Sequence, residues 1–520
     1  MAVSEDFENA IKAETRRTSA EVIFELLDTT ASQDASVSVV DKRADVSRED
    51  DIIEARDYQT KKFTTLENNY FGLNGKNYLT PRNTENVSVH VGWLSDTLSN
   101  ASGVFATPPC ITFNFTQTHS SIGLSLEFDQ EYPTSLTIVY YGIGGTELSR
   151  KTIANNKAKL NYSEQVQNYN KIEIYFNSTK NPYRRARLYS IIFGIIQDYT
   201  DEELLEFNLT RETSLASEKT VPISTCDFTI NNVNRDFNII NPSGVYDFLQ
   251  EKQLIKTKLG VYLEDGSVEY VNTGKYYLSD WKTDGIKATL TANDKLSFST
   301  TAYQSASSTT KSLRQWATDI LTAMGFTDSD VSAIPTTSIT TRFDYMDGKE
   351  LLKCIAQVSN TMMYVTTDDV IIFKPIPSTK ENDIDFDNMY KEPTITLDSK
   401  YNQVDVKVWS YGTSIESQTT ISSHNWIAGD EVYTFQIDNN PFITTSSIAT
   451  NVANNILALL SNRIQYEIDW RQNPSIDINA IVQIEDGFNE NKVGLITRNS
   501  YKYSGYLSGN TSARGISLNE

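Results

Sequence analysis

The chain has 520 residues, 39% of them hydrophobic, with three cysteines and a formal net charge of −21. That length exceeds one hydrophobic core and implies roughly three or four domains, while the acidity excludes a nucleic-acid groove, because phosphate neutralisation needs a clustered basic surface. No apolar run approaches the roughly 20 residues of a membrane span, and Met1-Ala-Val-Ser-Glu-Asp-Phe-Glu lacks the basic start and apolar core of a signal peptide.

Residues 1–57 read as an N-terminal arm with a short charged helix and a first strand, Glu21-Val-Ile-Phe-Glu-Leu-Leu-Asp. From 58 to 196 the texture is alternating. Cys110-Ile-Thr-Phe-Asn-Phe, Ile122-Gly-Leu-Ser-Leu-Glu-Phe, Ser135-Leu-Thr-Ile-Val-Tyr-Tyr, Lys171-Ile-Glu-Ile-Tyr-Phe and Leu188-Tyr-Ser-Ile-Ile-Phe each bury one side chain in two. Turn residues at Gly142-Ile-Gly-Gly and Asn181-Pro separate them. Five such strands without an intervening helix predict a β-sandwich of jelly-roll type. From 197 to 300 the pattern stays β, with Phe228-Thr-Ile-Asn-Asn, a loop through Phe237-Asn-Ile-Ile-Asn-Pro-Ser-Gly, and a hairpin turning on Asp265-Gly266. These runs complete a small sheet or barrel.

An α+β domain is expected over 301–400. Its Ser/Thr stretch at 304–311 reads as a linker or loop. Leu313, Trp316, Ala317, Ile320, Leu321 and Met324 form one apolar stripe, with Ser312 and Gln315 as a capping box and Gly325 as a stop. A second helix begins at Asp347, with Glu350 three residues on and Leu351, Leu352, Ile355 and Val358 facing inward; Cys354 lies on that apolar side. The last domain, 401–520, carries a long helix whose expected face is Ile448, Val452, Ile456, Leu459 and Ile464, followed by strands from Gln465. The fold class is mainly β with α+β parts.

Catalytic residue types do not converge in this sequence. His90, His119 and His424 lack paired spacing such as HxH or HExxH and read as surface side chains. There is no Gly-x-Ser-x-Gly elbow and no phosphate loop, and Asp368-Asp369 reads as a hairpin turn. No catalytic, cofactor or metal residue is therefore assigned, and no enzyme activity is expected. Cys110, Cys226 and Cys354 are far apart without C-x-x-C spacing, which points to no disulfide framework and to a reducing cytoplasm. Arg184, Arg185 and Arg187 stand out in so acidic a chain; arginine forks match carboxylates, so they are candidates for a domain or subunit contact. Tyr70, Trp93 and Tyr183 are the aromatic side chains that could offer a face to a glycan, the alternative being that Trp93 and Tyr183 pack the sandwich edge.

Three passages recur in one order. The first is Phe63-Thr-Thr-Leu-Glu-Asn-Asn-Tyr-Phe-Gly-Leu-Asn-Gly with Gly92-Trp-Leu-Ser and Ser120-Ser-Ile-Gly-Leu-Ser-Leu-Glu-Phe. The second is Asn181-Pro-Tyr-Arg-Arg-Ala-Arg-Leu through Ile192-Phe-Gly-Ile to Phe228-Thr-Ile-Asn-Asn and Asn241-Pro-Ser-Gly. The third joins Asp369-Val-Ile-Ile-Phe-Lys-Pro, Tyr401-Asn-Gln-Val-Asp-Val-Lys-Val, Asn440-Pro-Phe-Ile, Asn473-Pro-Ser-Ile-Asp-Ile-Asn-Ala-Ile-Val and Tyr501-Lys-Tyr-Ser-Gly-Tyr-Leu-Ser-Gly. Together they resemble the hub proteins of tail tips and baseplates from phages of Gram-positive bacteria, including the N-terminal part of tail-associated lysins. The resemblance implies a multi-domain, split β-barrel or sheet hub with an early inserted sandwich, assembled as a homotrimer between a sixfold tail tube and a threefold tip. It implies as partners the tail tube and distal tail proteins, the tape measure protein, and needle, fibre or peripheral baseplate proteins. The implied location is the virion, after synthesis in the host bacterial cytoplasm. In an alternative adhesin reading the sandwich takes a host cell-wall glycan. Two departures stand out. Ile478-Asn479-Ala480-Ile481 replaces a frequent Gly-Asp, which puts a familiar turn in doubt, and the lysins' peptidase or fibre region has no counterpart here, which favours a pure hub.

Overall fold

A computed structural model of the chain describes residues 3–56, 59, 60, 63, 65–68, 70, 89–128, 130–218, 220–233, 252–298, 302–411, 415–485 and 492–516. The loop read at 237–244 and residues 71–75 of the first hub-like passage lie outside these. The chain folds as two compact units, one holding residues 23–198 with Lys252 and Gln253, the other residues 3–22, 199–233 and 254–516.

In the first unit one antiparallel sheet runs in the order Ser36–Val39, Cys110–Glu127, Lys159–Thr179, Pro133–Gly142 and Glu147–Ala154. Residues 190–193 pair with the second half of Cys110–Glu127. A two-stranded sheet, Trp93–Leu98 with Arg185–Leu188, contributes Trp93, Ala186 and Leu188 to the same core as Ile111, Phe113, Ile174 and Phe176. Alternation explains the layering, since Ile111, Phe113 and Phe115 are buried while Thr112 and Asn114 between them are only half-buried. Each fully buried aromatic or aliphatic side chain contributes roughly 1.5–3 kcal/mol. The boundary expected at 57/58 falls inside this unit, because Val37 lies opposite Phe113 and packs on its core.

His119 is also placed differently from the surface position expected of it. The strand bulges between Asn114 and His119, and the ring turns inward against Phe115 and Tyr169. Its Nε2 lies 2.9 Å from Asp34 Oδ2, so the buried imidazole keeps a polar partner. Hydrogen bonds from His119, Thr116 and the Gln117 amide hold the Asp34 carboxyl well below the usual range.

The second unit is built on an open antiparallel sheet. Its strands follow the order Leu254–Tyr262, Val268–Thr283, Lys287–Asn293, Thr225–Asn231, Leu204–Glu212, Lys492–Tyr503, Leu507–Gly515, Ile464–Trp470 and Thr394–Leu397. Among the described residues it closes into no barrel. The Asp265-Gly266 hairpin forms as read, with Gly266 at φ 82° and Asp265 Oδ1 accepting from the Ser267 amide at 2.9 Å. The N-terminal helix Glu5–Lys12, capped by Ser4, packs Phe7 and Ile11 on Val261 and Val271. Around the points where the chain leaves this unit and returns, Asp201 gathers four partners: Ser19 Oγ at 2.9 Å, the Ala20 amide at 3.2 Å, and the hydroxyls of Tyr262 at 3.2 Å and Tyr503 at 2.8 Å.

Helices Leu313–Ala323 and Gly348–Ser359 share a core of Trp316, Leu351, Ile355, Met363, Phe373 and Phe442. The capping box of Ser312 and Gln315 is formed, and Asp347 caps the second helix. Ser312→Ala is expected to lower stability by about 1 kcal/mol, read from urea unfolding followed by far-UV circular dichroism. The Ser/Thr stretch at 304–311 is a correction. It belongs to strand Ala302–Ser312, paired with Ser338–Asp347, where Thr310 and Thr340 hydroxyls meet at 2.7 Å. Threonine's branched Cβ suits a pleated surface, which composition alone conceals.

The long helix is Ser446–Ser461 and buries Ala449, Val452, Ala453, Ile456, Leu457 and Leu460. Leu459 is only half-buried, and Ile464 opens the next strand. The seam is carried by small alanines, and the helix stops before the last isoleucine of the expected stripe.

Candidate functional site

Three guanidinium groups in a sandwich are costly to bury unless each finds acceptors, and the chain around Arg185–Leu188 is arranged to supply them. The strand pairs with Trp93–Leu98, Arg185 opposite Leu98 and Arg187 opposite Leu94, with an irregularity between. Arg184, Arg185 and Arg187 are all buried. Arg184 Nη1 donates to the Asn68 carbonyl at 2.6 Å, and its Nε is 3.4 Å from Glu131 Oε2. Arg185 Nε donates to the Thr65 carbonyl and Nη1 to the Ser95 carbonyl, both at 3.1 Å. Burial, followed by the nearby Arg43 charge, lowers the Arg185 pKa below its ordinary value.

Arg187 makes the deepest contact. It pairs with Glu67, whose side chain is 0% exposed against 2% for the arginine. The other Glu67 oxygen accepts the Arg185 amide at 2.8 Å, and the Thr65 hydroxyl donates to the same carboxylate. Tyr70 lies beneath this cluster, its ring centre 4.4 Å from Arg187 and 5.3 Å from Arg184. The arginines therefore fasten residues 65–68 and Tyr70 to the two-stranded sheet.

The sequence-selected residues divide accordingly. Tyr70 joins the three arginines. Trp93, in the neighbouring strand, is 0% exposed, its ring 5.0 Å from Phe176 and its indole N–H donating to the Asp41 carbonyl at 3.0 Å, so it offers no face to a ligand. Tyr183, at φ 56°, is 43% exposed. The carboxylates that complete the cluster, Glu67 and Glu131, carry no periodic signal; only the demand of three arginines for acceptors pointed toward them.

A second ion pair, a buried arginine with a half-buried aspartate, organises the sheet unit. Arg211 Nε and Nη2 approach Asp477 at 2.9 and 3.0 Å, while Nη1 donates to the Thr273 carbonyl at 2.9 Å and Nη2 to the Val365 carbonyl at 3.3 Å. Asp477 belongs to the Asn473-Pro-Ser-Ile-Asp passage. Two residues on, Asn479 adopts φ 75° and donates to the Tyr364 hydroxyl at 3.0 Å. Asparagine tolerates that left-handed conformation better than most residues, so a turn is made there without the glycine.

Asp294 is nearly fully buried between two backbone donors, Ser224 N at 2.7 Å and Leu296 N at 3.0 Å. Burial outweighs those bonds and raises its pKa from 3.8 to about 6. The folded state thus holds the proton more tightly than the unfolded one, and stability falls as pH rises from 3.8 to about 6. Asp294→Asn is expected to remove up to roughly 3 kcal/mol of that fall, measured as the difference between variant and parent in urea unfolding at the two ends of the window.

A cleft of about 640 Å³ lies between helix Gly348–Ser359 and strand Gln403–Tyr411, lined by Arg342, Asp344, Glu350 and Trp409 among others. Among the described residues no three His, Cys, Asp or Glu side chains converge to hold a metal ion, and no helix is long and apolar enough to cross a membrane.

No family model and no curated protein matches the chain. Among solved structures, the tail protein from Neisseria meningitidis MC58 is similar at 10% identity and TM-score 0.44, over 62% of this chain and 94% of that one. The 43 kDa tail protein of prophage MuSo2 from Shewanella oneidensis is similar at 14% identity and TM-score 0.39, over 61% and 95%. Prophage tail protein gp18 from Listeria monocytogenes EGD-e is similar at 12% identity and TM-score 0.39, over 62% and 92%. At these scores and identities the likeness decides neither the fold family nor the role.

Proposed function

We propose that the chain is a structural virion protein, the trimeric hub of a phage tail tip or baseplate, which links the tail tube to the tip and to peripheral proteins. The observation that carries this reading is the interrupted sheet unit. Residues 3–22 pack with residues beyond 199: Arg16 Nη1 donates to the Gln472 carbonyl at 3.0 Å and Nη2 to the Leu507 carbonyl at 3.1 Å, and Ser19 Oγ donates to Asp201 at 2.9 Å. Residues 23–198 thus fall between two parts of a sheet-based unit, which supports the split hub that the sequence resemblance implies.

The passages that carry the resemblance are, in addition, packing elements. Asn440 Nδ2 donates to the Cys354 carbonyl at 2.8 Å, Asn473 caps the Ser475 amide at 3.0 Å, and Asp477 anchors Arg211. Residues used this way suit an adaptor whose product is a surface, with no chemical step. In this role its partners are further copies of itself, the tail tube and distal tail proteins, the tape measure protein, and needle, fibre or peripheral baseplate proteins. The adhesin alternative has less to stand on, since Trp93 is buried and Tyr70 is covered by arginines.

Light scattering across a concentration series, with and without a tail tube protein, tests the reading. A mass of three times 58.6 kDa in either condition is expected. A monomer under both conditions overturns it.

A further inference from the structure

The last strand of the open sheet, Thr394–Leu397, pairs with Ile464–Trp470 on one side, and all four of its residues are exposed. Ile395 lies opposite Tyr466 and Leu397 opposite Ile464. Cross-strand neighbours share a face, so the buried row Tyr466, Ile468 and Trp470 runs out at the edge into Ile464, Ile395 and Leu397, which are 40%, 51% and 65% exposed. Sheet edges are ordinarily blunted by charge, proline or a bulge. Here Pro393 precedes the strand, but the strand itself is Thr-Ile-Thr-Leu without a charge. Of the charges flanking it, Lys391 pairs with Asp469 at 2.7 Å and Asp398 with Arg514 at 3.5 Å.

We propose that this edge pairs with the same edge of a second copy, antiparallel about a twofold axis at Thr396. The register follows from the side chains. Centred on Thr396, Ile395 of each copy lies opposite Leu397 of the other, and all four apolar side chains share one face. Glu392 and Lys400, both exposed, then come opposite each other at both ends; Lys400, whose ammonium lies 5.3 Å from the Tyr433 ring centre within its own chain, gains a carboxylate partner in the second copy. A shift of one position sets Ile395 against Thr396 and sends the apolar side chains to opposite faces. Centring on Ile395 instead sets Leu397 against Pro393, which has no amide to donate. The contact is isologous and is additional to any threefold assembly, so it does not rest on the hub reading. Four residues a side are far fewer than the roughly 20–30 of a standard interface, and the pair is weak and concentration-dependent.

A single cysteine on the axis tests the register. Opposed Cα atoms of an antiparallel pair are about 4.5–5.5 Å apart, within disulfide range. The full chain carrying Thr396→Cys, oxidised in a concentration series, is expected to give a covalent dimer at concentrations where the parent, with Cys110, Cys226 and Cys354, gives none. Adding Ile395→Lys and Leu397→Lys is expected to cut the dimer yield at least tenfold. These side chains are exposed, and an unchanged thermal melt shows that the variant still folds. Chains carrying Glu392→Cys and Lys400→Cys are expected to link to each other and not to themselves. Failure of Thr396→Cys to cross-link overturns the pairing and leaves the edge to an extended segment of another protein. A dimer that survives both lysines, or Glu392→Cys linking to itself, overturns it equally. Loss of the trimer with cross-linking intact sinks only the hub reading.

Discussion

Arg187→Leu is expected to cost the sandwich about 3–5 kcal/mol, the range for removing one partner of a buried ion pair. The penalty arises less from the lost attraction than from what remains, a Glu67 carboxylate with no exposure, no ion pair and only the nearby Arg185 charge to balance it. Glu67 then keeps only the Arg185 amide and the Thr65 hydroxyl, and those neutral donors do not offset the desolvation of a full charge. The double variant Arg187→Leu with Glu67→Gln is expected to recover much of the loss, because a neutral amide is far cheaper to bury than a bare carboxylate. Amide hydrogen exchange is the suitable readout in a chain of two units, where one global transition is not assured. Loss of protection concentrated at residues 65–68 and 95–98 in the single variant, and its return in the double, is the expected result. Equal protection in all three proteins would show that the pair contributes little.

Arg211→Leu is expected to cost less than the roughly 3–5 kcal/mol of a fully buried pair, because Asp477 is 24% exposed, but its effect should reach further. One guanidinium serves Asp477, the Thr273 carbonyl and the Val365 carbonyl, so a single substitution leaves a carboxylate and two carbonyls short of donors. Arg211→Lys is expected to rescue little, since an ammonium cannot reproduce the planar fork that meets Asp477 through two nitrogens. Thermal unfolding should show the sheet unit melting early in both variants, while hydrogen exchange in the sandwich strand Pro133–Gly142 stays near the parent level. A lysine variant with parental stability would mean that charge, and not the geometry of the fork, is what the site requires.

Where local chemistry decides structure, the sequence is readable residue by residue. Ser312 and Gln315 announce a helix start because both hydrogen bonds of the box lie within three residues. Asp265-Gly266 announces a hairpin because the turn needs a residue free to adopt positive φ. Period-two runs such as Cys110-Ile-Thr-Phe-Asn-Phe declare which side chains are inward, but nothing in them names the neighbouring strand. Hence Ser36–Val39 looked like part of an arm, although its partner is Cys110–Glu127. The same blindness to distant partners hid Glu67 from Arg187 and Asp34 from His119, pairs far apart in the chain whose cost of burial is balanced only once the fold unites them. The long helix misled for another reason: hydropathy weights isoleucine and leucine heavily, whereas close packing placed Ala449 and Ala453 on the seam.

The cluster around Asp201 has a further implication. Ser19 and Ala20, just before the chain departs, and Asp201, just after it returns, are bonded directly, with Tyr262 and Tyr503 of the sheet unit closing the ring. A segment whose two ends are fastened side by side imposes little loop-closure entropy on the rest of the chain. The sheet unit therefore pins the chain with its own side chains on both sides of residues 23–198, so this neck keeps its geometry independently of what those residues do.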